Sequence, residues 1–387
     1  PDFVAWNRAG LAQMASDPAL QRRVAEVSAA LRAVYNGSGP SHSEADRWLQ
    51  EFQRSQEAWS VADAMLRMDS AELNVTFFAA QTIHAKIRSN FRELPRESIP
   101  SLRDSLVDHL ARWGRAGKSA VITRLCLALS ALALQGNWSD VVKDLTGRLM
   151  RGEPPEQQNQ AARVLLEFMK GRGGGGCTHF IHRRSCMTID PRIPTMPGRS
   201  TSGFHRPGRH HLHQARSATS PMVLLVDMKV LPEEAVNHRI IVPEAIREAF
   251  LQQLCRSSGF LLSSLQQIAA GPLGAEVMVQ ETVFQCLASW VRYVNIPAEE
   301  LVRNPLLPAA FDALGKRELF EPAVDVLVEV LRKYQTTNYL VVQLMVPKAM
   351  ALEAAYKRAT VEEDEDIARG LCRLFTEMGE AYMDVIM

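Results

Sequence analysis

An all-α superhelix built by stacking helical pairs is the fold this 387-residue sequence predicts. Three observations carry it: apolar residues recur at helical spacing, helix caps mark the boundaries, and pairs recur about every 40 residues. Asp17 and Pro18 form an N-cap and first-turn pair, apolar residues follow at Leu20, Val24, Val27, Leu31 and Val34, and Asn36 and Gly37 close the helix. Ser41 with Glu44 is a capping box leading into Trp48, Leu49 and Phe52. A further helix runs from Glu57 to Met68. Asp69 and Glu72 then precede a helix to about Asn90 that is apolar on most of its circumference and needs covering on two sides. After Pro95 and Pro100, Leu102 to Trp113 is amphipathic, and Ser119 to Gln135 is almost wholly apolar.

Pairs thus begin near residues 18, 57, 98 and 138, the last comprising Val141 to Met150 and Gln157 to Met169. An amphipathic helix followed by a more buried one, at this period, is the HEAT-repeat pattern, in which each pair buries its inner face only by stacking on its neighbours. The rhythm resumes with Pro243 to Ala269, Glu276 to Val294, Pro305 to Leu314, Glu321 to Tyr334, Tyr339 to Arg358 and Glu362 to Met387, with Pro347 expected to kink or end its helix. The expectation is a right-handed, ARM-like α-solenoid of about seven helical pairs with one disordered insertion.

That insertion spans 171–229. Gly173 to Gly176, several prolines and six of the ten histidines leave little periodic apolar surface, and Met222 to Met228 is a short apolar run of open assignment. The segment holds nine Lys/Arg and two Asp/Glu, a net of +7. Subtracting these from 44 basic and 43 acidic residues leaves 35 against 41, a net of −6 for the rest. The organisation expected is an extension over 1–16, helical repeats over 17–170, a basic His/Gly/Pro/Ser-rich insertion over 171–229 and further repeats over 230–387.

Chemistry is scarce. The ten-residue apolar run from Leu125 to Leu134 is too short for a bilayer span, so no membrane partner is expected. Six scattered cysteines, four within helical patterns, fit a reducing intracellular compartment. Cys177, His179, His182 and Cys186 are zinc-type ligands at a spacing that matches no standard finger, so no metal site is assigned. Gly114 to Ser119 resembles the end of a phosphate loop but lacks the first glycine and the preceding strand, and a turn between helices explains it. His84, His109 and His238 have no triad partners. The acidic run Glu362 to Asp366 suits a helix N-terminus. No catalytic residue, no cofactor and no direct nucleic-acid contact is expected, and the chain is not read as an enzyme.

Specific stretches resemble a known family. Trp48-Leu-Gln-Glu-Phe-Gln-Arg-Ser-Gln-Glu-Ala-Trp59, Phe77 to Ile87, Leu94-Pro95, Ser101 to Leu106, Leu125 to Gln135, Val230 to Glu234, Cys286 to Trp290 and Leu371 to Glu377 resemble importin-β-type nuclear transport receptors (karyopherins) of the transportin-3/importin-13 branch, in their N-terminal part. In that family the run like Leu165 to Lys170 passes directly into the one like Val230 to Glu234; here residues 171–229 intervene, as a translated intron or a lineage-specific loop. The resemblance implies a receptor shuttling between cytoplasm and nucleus through the pore. Its implied partners are the GTP form of the small GTPase Ran, nucleoporins and protein cargo, in this branch often serine/arginine-rich splicing factors. It implies Gln81 and Lys86 as Ran contacts. The alternative is a generic HEAT scaffold or an exportin-like adaptor without import activity.

Overall fold

Apolar stripes dictate the pairing, so the helices are best followed through what each stripe is buried against. The computed structural model describes residues 17–36, 40–68, 72–136, 138–150, 221–334 and 339–386. The first helices are α1 (Pro18–Asn36), α2 (Pro40–Arg54), α3 (Ala58–Arg67), α4 (Leu73–Asn90), α5 (Ile99–Arg115), α6 (Ser119–Gln135) and α7 (Val141–Met150). After the segment 151–220 come α8 (Pro221–Ala235), α9 (Glu244–Arg256), α10 (Ser258–Ala270), α11 (Val277–Tyr293), α12 (Ala298–Arg303), α13 (Leu306–Ala313), α14 (Phe320–Lys333), α15 (Tyr339–Met350), α16 (Glu353–Val361) and α17 (Glu365–Ile386). No strand occurs among the described residues. The molecule is an all-α HEAT-repeat solenoid.

Two rows form it. In the inner row α4, α6, α8, α11, α14 and α17 pack successively on one another, and in the outer row α3, α5, α7, α10, α12 and α15 follow alongside. The most apolar helices lie inside, as expected of elements flanked on two sides. Every residue of α6 from Leu125 to Leu134 is buried. A single continuous core runs from Val24 to Tyr382.

Several local signals hold where they were expected, whereas the Ser41–Glu44 pair lies inside α2, which already begins at Pro40, and Glu72 precedes α4 without a side-chain cap bond. Asp17 caps α1, its Oδ1 accepting from the Ala19 amide at 2.9 Å. Gly117 takes a positive φ of 66° in the α5–α6 turn, so the phosphate-loop look-alike is a helix connection. The acidic run opens α17, with Asp364 Oδ1 accepting from the Ile367 amide at 3.3 Å. Other boundaries shift. The stretch read as one helix from Pro243 to Ala269 is divided at Ser257, and the one from Tyr339 to Arg358 at residues 351–352. Pro347 lies inside α15 and the helix ends three residues later.

One domain boundary needs correction. Residues 221–229, assigned to the insertion, are the first nine residues of α8 and belong to the core: Val223, Leu224, Leu225 and Met228 are buried between α6 and α11. The run has apolar residues on nearly all sides, so periodicity could not place it; two flanking helices do. The helix read at Gln157 to Met169, the His/Cys cluster and the rest of the proposed insertion lie outside the described residues.

Large side chains with a polar tip stitch several repeats to the one before. Trp113 Nε1 donates to Leu66 O at 3.2 Å, Tyr334 Oη to Ile296 O at 2.6 Å, and Tyr382 Oη to Tyr334 O at 2.8 Å; Gln135 donates to Ile87 O. Pro232 shows the logic best. Lacking an N–H, it leaves the Met228 carbonyl four residues back without its helical donor, and Trp290 Nε1 of α11 fills the vacancy at 2.8 Å.

Two buried carboxylates test the packing in opposite ways. Asp63 on α3 meets Ser105 Oγ at 2.6 Å, His109 Nε2 at 2.7 Å and Arg67 Nε at 2.8 Å, joining the outer helices of neighbouring repeats. Burial alone would raise its carboxyl, but His109 and Arg67 together hold it well below the usual carboxylate range. Its contribution is complete at neutral pH and is lost as pH falls through that depressed value. Asp63→Ala is expected to destabilise the array by about 3–5 kcal/mol, because it leaves His109 and Arg67 without their buried partner; a variant whose thermal midpoint stays near wild type refutes this.

Asp227 on α8 is the converse. It is fully buried, and neither carboxylate oxygen has a hydrogen-bond partner in good geometry. Burial pushes its pKa up to about 8, only slightly offset by the Cys126 thiol. Between the ordinary carboxyl value near 4 and about 8 the folded chain holds a proton that the unfolded chain does not. Stability therefore falls with rising pH across that window, by up to about 1.4 kcal/mol per unit. Asp227→Asn is expected to remove this slope: relative to the variant, wild type should lose at least about 1 kcal/mol from pH 5 to pH 8 in urea unfolding.

Candidate partner-binding surface

Helix α4 is buried on most of its circumference and leaves one narrow stripe open. Asn74, Phe77, Gln81, Ala85 and Arg88 are its partly exposed interior positions, spaced three or four residues apart along one line. The rest of the helix is committed to α3, α6 and α2. Gln81 stands in the middle of this stripe, and Thr82 beside it is tied inward, accepting from Gln53 Nε2 of α2 at 3.0 Å.

Lys86 is placed differently. Its side chain is 1% exposed and lies under the α2–α3 turn. The ammonium donates to Ser55 O at 2.9 Å, Arg54 O at 3.4 Å and Glu93 Oε2, and sits 5.4 Å from the Trp59 ring centroid. Glu93 also accepts from Trp59 Nε1 at 3.2 Å and Asn90 Nδ2 at 2.6 Å. Burial would raise the Glu93 carboxyl, but Lys86 and its hydrogen bonds lower it overall. All three ammonium protons are thus used within the fold. The chain brings Gln81 to the open stripe and Lys86 to a knot beneath it.

Along the stripe the chemistry is mixed. The Arg124 guanidinium of α6 lies 5.5 Å from the Phe77 ring centroid, which joins the open faces of α4 and α6. His84 Nε2 is 3.8 Å from Glu234 Oε2 of α8, both nearly buried. Burial holds the His84 imidazole below its usual pKa, with Glu234 only partly opposing, and burial likewise lowers Arg88 and Arg124. Further along the row polar and charged side chains are linked, several of them around the buried Glu329. Lys229 donates to Gln285 at 2.8 Å, Glu329 accepts from both Arg292 and Arg332, and Arg332 reaches Glu377. The Phe77–Arg124 pair was not anticipated from sequence, because the two residues are 47 positions apart and only the stacking of α4 on α6 makes them neighbours.

Such a row presents hydrogen-bonding and charged tips on a rigid apolar base, the chemistry of an extended contact surface. Among the described residues no group of His, Cys, Asp or Glu side chains is arranged to hold a metal ion, and no helix is long and apolar enough to cross a membrane. Cys126, Cys255, Cys286 and Cys372 are unbridged, and burial raises the thiols of Cys126 and Cys286.

Comparison with known proteins agrees with this geometry. Residues 45–112, which run from α2 into α5, match the importin-beta N-terminal domain, and residues 210–327 match the exportin 1-like protein family. The chain is 26% identical to transportin MOS14 of Arabidopsis thaliana over 375 residues, 93% of this chain and 31% of that protein. It is 24% identical to human importin-13 over 383 residues, 98% of this chain and 33% of that protein. It is 26% identical to the mRNA transport regulator MTR10 of Saccharomyces cerevisiae over 386 residues, 94% of this chain and 32% of that protein. The chain spans about a third of the length of these relatives. With an importin-beta N-terminal domain match and an exportin 1-like match on a solenoid of stacked helical pairs, the chain is similar to importin-13, transportin MOS14 and MTR10, all karyopherins of the importin-β family.

Proposed function

We propose that the chain serves as a nuclear import receptor that binds the GTP form of Ran through the open stripe of α4 and carries protein cargo through the nuclear pore. The observation that supports this most is positional: the importin-beta N-terminal match covers the whole of α4, the helix of the first repeats with a single narrow open face. Gln81 is the Ran contact of this reading, flanked by Phe77 and Arg88. Lys86 acts as a positioning residue, tying the α2–α3 turn to Glu93 just beyond α4 and so setting the stripe's tilt. The reading is one of surface contact without covalent chemistry, with shuttling between cytoplasm and nucleus, contact with nucleoporins, and serine/arginine-rich splicing factors as the cargo class.

The exportin 1-like match over 210–327 favours one other reading, a scaffold or exportin-like adaptor without import activity. Loading Ran separates the two. A receptor retains GTP-loaded Ran in preference to GDP-loaded Ran, whereas an adaptor shows no preference. Gln81→Ala is expected to weaken Ran-GTP binding about 5- to 30-fold, as losing one central polar contact of 1–2 kcal/mol does, with an unchanged thermal midpoint. Lys86→Met is expected to lower the thermal midpoint, because Glu93 and the Arg54 and Ser55 carbonyls lose their shared donor. Undiminished binding by the Gln81 variant would remove the stripe from the interface.

A further inference from the structure

Where α4, α6 and the end of α8 meet on the open row, positive charge exceeds negative. Arg88 lies at the C-terminal end of the α4 stripe, Arg124 is a partly exposed position of α6, and Arg239 is exposed in the turn after α8. The carboxylate that Arg88 and Arg124 share is Glu234 of α8, whose Oε2 is 3.8 Å from His84 Nε2 of α4. We propose that Arg88, Arg124 and Arg239 form a cradle for a carboxylate, the Asp or Glu side chain of a protein partner, which Glu234 occupies in part from within. The proposal rests on the reading of the inner row as a partner-binding surface, and not on that partner being Ran.

The turn that carries Arg239 is built to a fixed geometry. Arg247 of α9 is buried and donates to Ala235 O and, at 2.9 Å, to Ile240 O, so both ends of the turn are clamped. Asn237 Nδ2 donates to Glu234 Oε1 at 3.1 Å and to Oε2 at 3.3 Å, and its Oδ1 accepts from the Arg239 amide at 3.0 Å. One side chain thus ties the internal carboxylate to the backbone that carries the third arginine. On the opposite side the Arg124 guanidinium lies 5.5 Å from the Phe77 ring centroid, and the ring gives the cradle an apolar wall.

Charge decides what docks there. In this group three guanidiniums face one carboxylate, a net of +2 with His84 neutral, in a chain whose residues outside 171–229 carry −6. Burial lowers the Arg88 pKa, with Glu234 opposing it and Arg239 adding to it; burial lowers that of Arg124, with Arg88 adding and Glu234 opposing. His84 Nε2 is buried without a hydrogen-bond partner, and burial reinforced by Arg88 and Arg124 outweighs Glu234 in keeping the imidazole uncharged. A second carboxylate relieves the repulsion between the arginines and matches their planar forks, and Glu234 already shows that a carboxylate is the anion they take. A cationic tip would meet the same excess as repulsion.

Residue-resolved labelling of the full chain tests the cradle. Phenylglyoxal modification, read by peptide mass spectrometry with a hexaglutamate peptide as the probe, is expected to slow at Arg88, Arg124 and Arg239 and not at Arg303 of α12, which is 82% exposed. Glu234→Gln removes the competing carboxylate and should lower the half-protecting peptide concentration about threefold. Arg239→Gln, a surface substitution that leaves the packed core intact, should raise it at Arg124 about threefold. The proposal is overturned if Arg124 is labelled equally fast with and without peptide, or if Glu234→Gln leaves half-protection unmoved or raises it. Protection by inorganic phosphate at a lower concentration than by acetate overturns the assignment to a carboxylate. None of these readouts uses Ran, so a chain with no preference for GTP-loaded Ran loses the receptor role and keeps the cradle.

Discussion

Everything in this molecule depends on inner helices that are buried on two sides. A helix such as α6, with Leu125 to Leu134 buried throughout, has no stable existence beside a single neighbour; it needs α4 on one side and α8 on the other. Stability in such an array is a sum of nearest-neighbour terms, and several interfaces here carry a directed hydrogen bond as well as apolar area. Trp113, Gln135, Trp290, Tyr334 and Tyr382 all donate into backbone carbonyls of an adjacent repeat. A donor of that kind favours one register, which apolar area alone does not, because a buried polar tip moved off its carbonyl would be left unpaired.

The same constraint shapes the open surface. Since the inner helices give most of their circumference to neighbours, each offers a partner only a line of tips. On α4 that line runs through Phe77, Gln81 and Arg88, and on α8 through Val226, Lys229 and Glu233. Recognition on such a surface is distributed over many repeats, and it inherits its geometry from knots such as Lys86 with Glu93 and Trp59 that set how one helix leaves the next. Where the array carries a buried group without a partner, as at Asp227, an interface is weaker than its apolar area suggests.

Much of this was legible in the residues. The helical period, the Asp17 cap, the Gly117 turn and the acidic start of α17 are local signals, fixed by backbone sterics and hydrogen bonding within a few positions, and the structure keeps them. The assignment of Met222 to Met228 was not legible, because a run apolar on all sides has the same pattern in a buried helix and in a collapsed loop. Gln81 and Lys86 look alike in sequence as polar residues on one apolar helix. Five positions on, nearly one and a half turns, a side chain points roughly 140° away, so one faces outward and the other inward.

By itself, then, the sequence determined the fold class, the repeat period and the kinship with transport receptors, since periodicity, caps and motif runs are written in neighbouring residues. Only the tertiary structure decided that residues 221–229 open the third inner helix, that Lys86 is spent inside the fold, and that Asp63 is satisfied while Asp227 is not. Those outcomes depend on residues tens of positions apart brought together by stacking, and helix-on-helix burial, not local pattern, sets the environment of each charge.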